Sequence, residues 1–312
     1  MPYSVDQRLF RRYTAVRHSM KPTLPQVTVC AVDCTNPTFA AKALAYSATM
    51  CQFGRALLLS DTAVQGPFEH RVIPRINSSN EYSAFMLREL HRYIDTEFVL
   101  IIQWDGYVVH PRAWTNEFLQ YDYIGARWHW HPDGMNVGNG GFSLRSAKLL
   151  QVLAQPRFSA GFNVAEDVWI ARAIRPYLET EAGIRFAPPE LADRFSYERC
   201  LVSGPTFGFH GLFNLWRYMD DESLLNLFAA GDLKIAATHA FLELMMIVYL
   251  QRKFQLFIRL YALARQQLPL PEFRELFMTA AHYTLEASKG ETMPVDQAIG
   301  LGESMLEHVP SI

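Results

Sequence analysis

A lone carboxylate follows a short, almost wholly apolar stretch of the chain. Asp105 comes soon after the run Phe98–Ile102 and is followed at once by Gly106. Such a run is typical of a buried strand in a parallel sheet, and we predict a strand over 98–107 that carries Asp105 at its end. Because ligands bind beyond the carboxyl ends of such strands, Asp105 could hold a divalent metal and, through it, a diphosphate. Asp-Gly is equally ordinary turn chemistry, so a plain turn is the alternative.

Two adjacent acids, Glu166 and Asp167, lie at a predicted helix start. Asn163 and Glu166 have the spacing of a capping box, which places both acids in the first turn of a helix predicted over Asp167–Ile174. One carboxylate could act as a general base and take a proton from an attacking hydroxyl while the other orients it. Acids at this position also favour the helix dipole, and that role requires no catalysis.

Glycines flank two further candidate sites. His210 lies between Gly208 and Gly211, and the segment 138–141 reads Gly-Asn-Gly-Gly. Glycine lets the backbone approach a ligand closely, and a neutral imidazole is a common metal ligand. The alternatives are a packed histidine and a simple hairpin. The second segment is not the dinucleotide fingerprint, because Ser143 stands where a third glycine is needed.

A loop dense in aromatic and histidine residues precedes that segment. Residues 128–131 read Trp-His-Trp-His, without the further spaced ligands that a zinc site requires. Such a loop could stack on a sugar ring or a base, or it could be a packed flap, and the sequence leaves both interpretations open.

The elements that position these residues alternate as in a nucleotide-binding α/β sheet. The predicted strands are 27–33, 55–61, 71–74, 98–107, 121–126 and 184–188, with a further short strand that the glycine-rich segment 137–145 enters. The predicted helices are 39–51, 79–94, 147–154 and 167–174, the second opened by a capping box of Ser78 and Glu81. From residue 218 onward only helical patterns occur, over 224–229, 235–265 and 271–289.

Composition narrows the classes of function. The net charge of -2 leaves no basic surplus for a nucleic-acid partner. The four cysteines form no C-x-x-C pair, which favours reduced thiols and a cytoplasmic protein. The N-terminal residues have no continuous apolar core, so we expect neither a signal peptide nor an anchor, and no transmembrane segment is predicted elsewhere.

Five segments occur in a fixed order along the chain, and their combination is more specific than any one segment alone. They are Gln103-Trp104-Asp105, Tyr121 to Trp128, Gly138 to Ser146, Glu166-Asp167-Val168 and Phe207-Gly208-Phe209-His210. In this order they resemble an uncharacterised bacterial family of glycosyltransferase-like domains with the GT-A fold. The resemblance covers Val27 to Leu212 and leaves out the N-terminal arm and the helical tail.

The resemblance implies an α/β, GT-A-like (Rossmann-like) mixed sheet flanked by helices. Together with the helical patterns after residue 217, which predict a C-terminal all-helical appendage, it leads us to expect a basic arm over 1–23, a catalytic domain over 24–217 and a helical domain over 218–312. The implied activity is metal-dependent transfer of a sugar from a nucleotide-diphosphate sugar to an acceptor hydroxyl, with inversion. The acceptor could be a glycan, a lipid-linked glycan or a protein.

The resemblance also implies a role for each site residue. Asp105 matches the last acid of the D-x-D motif that binds Mn²⁺ or Mg²⁺ and the donor diphosphate, and Gln103 stands in place of the first. His210 matches a C-terminal metal ligand, and Asp33 lies where such folds contact the nucleotide. The remaining assignments are the donor-site residues Asn139, Gly140 and Gly141 and the base Asp167, with Glu166 as its alternative.

Two other functions stay open. A sugar-nucleotide nucleotidyltransferase would need a glycine-rich loop after the first strand, and 33–37 contains no glycine. A non-catalytic nucleotide- or glycan-binding scaffold fits the missing first acid and the large tail. The tail also carries an apolar surface, which could pack inside a bundle, form a homodimer, or dock peripherally at the inner face of the cytoplasmic membrane. That surface comprises Met245, Met246, Ile247, Tyr249, Leu250, Phe254, Phe257, Ile258 and Tyr261.

Overall fold

The computed structural model describes residues 21–200, 203–231, 233–288 and 294–308. The described residues up to His210 form one unit, and those from Gly211 onward form a second, whereas the predicted boundary follows residue 217. The predicted N-terminal arm lies outside the described residues except for its last three, and the first strand already begins at Thr23.

Six strands of the first unit form one mixed sheet. They are β1 (Thr23–Val32), β2 (Gln52–Ser60), β3 (Glu69–Val72), β4 (Phe98–Ile102), β5 (Tyr123–Ile124) and β6 (Ser143–Ser146). Their order is β3-β2-β1-β4-β6-β5. Strands β1 to β4 run parallel to one another, and β6 is antiparallel to both β4 and β5. The predicted α/β class with a mixed sheet is therefore confirmed.

The first unit also contains helices, some of which pack against this sheet. They are α1 (Pro37–Met50), α2 (Ser79–Arg88), α3 (Ala147–Leu153), α4 (Pro156–Ser159), α5 (Glu166–Val168), α6 (Arg175–Ala182) and α7 (Pro189–Phe195). Successive residues of β1 point to opposite faces of the sheet, and both sets are buried. Cys30 and Val32 pack with Phe85 and Met86 of α2, and α1 contacts the sheet at β1, β2 and β4. Burial on both faces explains why β1 and β4 read as continuous apolar runs.

Two predicted helix starts are confirmed at atomic detail. The Ser78 hydroxyl accepts a hydrogen bond from the Glu81 amide at 3.2 Å, and the Glu81 carboxylate accepts one from the Asn77 amide at 2.7 Å. The Ser146 hydroxyl accepts a bond from the Leu149 amide at 3.0 Å and so begins α3.

Several predicted elements were too long, among them the helix predicted over 79–94, which ends at Arg88, and the strand predicted over 121–126, which spans only Tyr123–Ile124. The strand predicted to reach residue 107 ends at Ile102, because the chain turns back between Gln103 and Gly106. The segment predicted as a strand over 184–188 makes a single bridge, from Phe186 to Tyr123. The long helix predicted over 235–265 is broken near Arg252, whose φ of 57° is incompatible with a right-handed helix.

The second unit is helical, as predicted. Its helices are α8 (Asp221–Ala229), α9 (His239–Leu250), α10 (Phe254–Gln267), α11 (Leu270–Ser288) and α12 (Val295–Met305). Most of the apolar surface predicted for the tail is used in packing, since Met245, Met246, Phe257 and Tyr261 are buried. Within the described ranges, no helix is both long and apolar enough to cross a membrane.

Candidate functional site

A cavity of about 610 Å³ opens where the strand order changes direction, beside the ends of β1 and β4. Ligands of open α/β sheets bind at this kind of position, and the volume suits a small organic ligand. Seven of the nine predicted site residues line the cavity, namely Asp33, Gln103, Gly140, Gly141, Glu166, Asp167 and His210. The other two, Asp105 and Asn139, are not among the described lining residues, but each contacts His210.

Asp33 forms a tight turn directly after β1. Its Oδ1 atom accepts hydrogen bonds from the amides of Thr35, at 2.8 Å, and Asn36, at 2.6 Å. Burial raises the pKa of the Asp33 carboxyl by more than these two bonds lower it. The Asn36 side chain makes no capping bond to α1, and it also lines the cavity.

Gln103 and Asp105 lie in the turn that follows β4. Gln103 and Gly106 exchange two backbone hydrogen bonds of 3.1 Å each. The turn interpretation of Asp105 is therefore correct for the backbone, and the same turn directs its side chain toward the site. The Asp105 carboxylate lies 3.6 Å from Nε2 of His210. The Gln103 side chain donates to the Tyr82 hydroxyl at 3.2 Å, which leaves its carbonyl oxygen 3.0 Å from the same Nε2 atom.

His210 contacts several of the other residues of the site. Its Nδ1 atom lies 3.2 Å from the Glu198 carboxylate, while Nε2 faces Gln103 and Asp105. Burial lowers the pKa of His210, but the charges of Asp105 and Glu198 outweigh it and raise the pKa to about 9. The neighbouring carboxylates therefore favour the protonated form of the imidazole when no cation is bound.

The glycine-rich segment wraps around this imidazole. Asn139 has a φ of 68° although it is not glycine, and it is 3% exposed. Its side-chain oxygen accepts from the Phe142 amide at 3.1 Å, and its side-chain nitrogen lies 3.0 Å from Nδ1 of His210. The Gly140 amide donates to the Asp167 carboxylate at 2.9 Å. The segment therefore joins the histidine to the acidic pair.

Glu166 and Asp167 have different surroundings, which the predicted capping box of Asn163 and Glu166 did not anticipate. That prediction was wrong, because α5 is preceded by Ala165 and has no side-chain cap. Glu166 instead points inward and pairs with the fully buried Arg145 at 2.9 Å. Burial raises the pKa of Glu166, and the Arg145 charge opposes that rise. Asp167 accepts bonds from the amides of Gly140 and Val168 and borders the cavity.

Three residues of the site had no predicted role: Tyr82, Arg145 and Glu198. Tyr82 lies within the helix predicted over 79–94, and Arg145 lies within the segment Gly138 to Ser146 that contributes to the resemblance. Glu198 had no signal in the sequence, because it reaches His210 only through the pairing of two short strands, β7 (Ser196–Tyr197) and β8 (Gly208–Phe209).

The aromatic loop forms a hairpin outside the cavity. The Trp128 amide donates to the Asn136 carbonyl at 2.7 Å, and the buried Trp128 ring packs over Gly138. His129 lies 2.8 Å from the Cys200 thiol, and Trp130 is 45% exposed. None of its residues 128–131 is among the described residues that line the cavity, which favours the packed-flap interpretation.

Across the part of the chain that the structure describes, no three His, Cys, Asp or Glu side chains converge as a metal site. Asp105 and His210 are two residues of these types that lie close together, with 3.6 Å between the carboxylate and Nε2, and the carbonyl oxygen of Gln103 faces the same imidazole nitrogen at 3.0 Å.

No curated protein matches the chain. Among solved structures, it is similar to the mannosyltransferase PcManGT from Pyrobaculum calidifontis in complex with GDP-Man and Mn²⁺, at 13% identity and a TM-score of 0.36. That match covers 92% of this chain and 81% of the other. A likeness at this level carries no functional argument. By sequence, residues 68–210 are similar to the family described as "Protein of unknown function (DUF5672)", a stretch that holds every site residue from Gln103 to His210.

Proposed function

We propose that the protein is a metal-dependent glycosyltransferase of GT-A-like fold. It moves a sugar from a nucleotide-diphosphate sugar to an acceptor hydroxyl, with inversion. The observation that carries the proposal is the convergence of the Gln103 carbonyl, the Asp105 carboxylate and the His210 imidazole at one end of a cavity that Asp167 also borders.

The two distances from the His210 imidazole to its neighbours suit a small divalent cation. Two ligands that bind one ion at right angles, each about 2.1 Å from it, lie about 3 Å apart. The separations from Nε2 of His210 are 3.0 Å to Gln103 and 3.6 Å to Asp105, close to that value. One imidazole nitrogen and two oxygens suit Mn²⁺ or Mg²⁺, once Nε2 has lost its proton.

The charge of the cavity supports a role for a cation. Asp33, Glu166 and Asp167 line it, and its described lining contains no lysine or arginine. A diphosphate would therefore meet mainly negative side chains unless a cation accompanied it. The chemistry that Mn²⁺ or Mg²⁺ supplies when bound is neutralisation of the charge that develops on the leaving diphosphate.

Asp167 is the better placed of the two candidate bases. The Glu166 carboxylate is buried and engaged by Arg145, so taking up a proton there would disrupt a buried ion pair. In the proposed reaction the acceptor oxygen bonds to the anomeric carbon while the bond from that carbon to the diphosphate breaks. The hydroxyl proton goes to Asp167, and the nucleoside diphosphate leaves. Asp33 and Asn36 are assigned to the nucleoside, and Asn139, Gly140 and Gly141 to the sugar.

The domain assignment belongs to the same proposal. We assign catalysis to residues 24–217 and leave the helices over 218–312 to an accessory role. The acceptor is a glycan, a lipid-linked glycan or a protein, and a site of action at the inner face of the cytoplasmic membrane suits a lipid-linked one.

The metal role is tested with Asp105→Asn. A ligand that binds only the folded state raises Tm, so Mn²⁺ together with a nucleoside diphosphate should stabilise the wild type. We expect Asp105→Asn to lose this shift and to lose release of nucleoside diphosphate from a panel of nucleotide sugars. Glu117→Gln is the control, because its exposed pair with Arg194 does not border the cavity.

Asp167→Asn separates binding from chemistry. This variant should keep the Mn²⁺-dependent shift and lose transfer by at least about 100-fold. An unchanged shift in Asp105→Asn would contradict the metal role. A wild type that binds the donor but never transfers its sugar would favour a binding scaffold instead.

A further inference from the structure

The pairing of two short strands brings Glu198 beside His210. Ser196 is in register with Gly208 and Tyr197 with Phe209, and the His210 amide donates to the Tyr197 carbonyl at 2.9 Å. The next residue on each strand is Glu198 and His210, respectively. The contact between their side chains is therefore set by the backbone ladder and does not depend on a flexible loop.

Glu198 occupies one edge of the imidazole and leaves the other edge to the site. Its carboxylate lies 3.2 Å from Nδ1. Nε2, on the opposite edge, faces the Gln103 carbonyl at 3.0 Å and the Asp105 carboxylate at 3.6 Å. The side chains of Glu198 and His210 are only 17% and 16% exposed, so the surrounding protein limits their movement.

Asn139 holds the Glu198 carboxylate in place. Its side-chain oxygen is used by the Phe142 amide, which directs its NH₂ group toward Glu198 and Nδ1 of His210. Asn139 donates a hydrogen bond to the Glu198 carboxylate. Its left-handed backbone, with a φ of 68°, is maintained at a buried position, as is common where a side chain must be held in one direction.

We propose that Glu198, held by Asn139, is a positioning residue for the cation site. Its carboxylate accepts the Nδ1–H of His210, so that Nε2 presents its lone pair to the point shared with Asp105 and Gln103. Carboxylates of this kind orient metal-binding histidines and fix their tautomer. The inference rests on the proposed function, because it assigns Glu198 to that same site.

Mn²⁺ affinity provides the test, measured from the signal of free Mn²⁺ in electron paramagnetic resonance titrations of the full chain. Loss of such a carboxylate typically weakens metal binding about 10–100-fold. We expect this loss in Glu198→Gln and Glu198→Ala, a smaller loss in Glu198→Asp, and none in Glu117→Gln. Wild-type affinity in Glu198→Gln and Glu198→Ala would overturn the assignment.

Asn139→Gly is the second variant, and it keeps the inference testable if the Glu198 variants fail to fold. Glycine accepts the positive φ and removes only the amide side chain. Mn²⁺ affinity should fall several-fold, and wild-type affinity would count against the role of Asn139 in holding the carboxylate.

A spectroscopic measurement checks the hydrogen bond without any metal. In ¹⁵N-histidine-labelled protein, the His210 Nδ1–H should exchange slowly with water. Its resonance should vanish in His210→Gln and exchange rapidly in Glu198→Ala. Slow exchange retained in Glu198→Ala would contradict the proposal. A failure of the proposed function can be distinguished from a failure of this inference. If the proposed function is wrong, Asp105→Asn and His210→Gln will also bind Mn²⁺ as the wild type does.

Discussion

Glycine stands at residues 140 and 141 because neighbouring side chains leave no room for a Cβ atom. A Cβ at Gly140 would lie 2.2 Å from the Glu166 carboxylate, and one at Gly141 would lie 2.0 Å from Nε2 of His210. Both distances are far below van der Waals contact. The positive φ in this segment belongs to Asn139. At these two positions, close approach rather than backbone freedom explains the glycine.

Gly141→Ala should therefore act on the site through His210. The new methyl group must displace the imidazole from Gln103 and Asp105, because the colliding Nε2 atom is the one that faces them. We expect a loss of Mn²⁺ affinity of at least about 10-fold, comparable to the loss of an orienting carboxylate.

Gly204→Ala is the matched control, since a Cβ at residue 204 meets nothing within 4 Å. Calorimetric titration with Mn²⁺ compares the two variants with the wild type. Equal affinity in all three proteins would show that the imidazole does not bind the cation.

At the scale of elements, a buried ion pair joins β6 to the start of α5. The Arg145 guanidinium is 0% exposed and its Nη2 atom lies 2.9 Å from the Glu166 carboxylate. Its Nε atom donates to the Ser143 hydroxyl at 3.0 Å, and Nη1 has no hydrogen-bond partner among the described residues. Because a buried guanidinium is costly without a counter-ion, the Arg145–Glu166 pair fixes the position of α5 and of the neighbouring Asp167.

Glu166→Gln should destabilise the fold more than it harms any reaction step. Removing one partner of a buried pair typically costs about 3–5 kcal/mol, because the other charge is left uncompensated. We expect a decrease of that size in the free energy of unfolding, measured by urea denaturation.

The double variant Arg145→Met/Glu166→Met should recover most of that free energy, because it removes both charges together. A double variant as unstable as the sum of the two single variants would contradict this account of the pair.

At the scale of the whole molecule, most of the apolar surface predicted for the C-terminal tail is buried inside the second unit. Met245 and Met246 of α9 and Phe257 and Tyr261 of α10 are buried, although the sequence presents them as one wide apolar face. Of the predicted apolar set, Phe254 remains 41% exposed. Little of that face is left to form a large hydrophobic interface between two copies.

The chain should therefore behave as a monomer of 35.7 kDa at micromolar concentration. Light scattering over a wide concentration range measures this mass directly. A mass that doubles with concentration would instead favour the homodimer through the C-terminal helices.

Local chemistry was sufficient to predict most elements. Capping by Ser78 and Ser146 and the apolar runs of β1 and β4 depend on residues that are near one another in the chain. The helix break at Arg252 and the early end of β4 escaped prediction, because no glycine or proline marks them at the breaking residue.

The sequence by itself determined the class of fold and the residue types of the candidate site, since strand ends, glycines and acids are local features. Only the tertiary structure decided which of them meet. Glu198 lies beside His210 because of the register of two short strands. Arg145 pairs with Glu166 because a buried charge needs a counter-ion. Asp105 approaches the imidazole from a turn. Contacts between residues far apart in sequence depend on how the whole chain packs, and no short pattern encodes that packing.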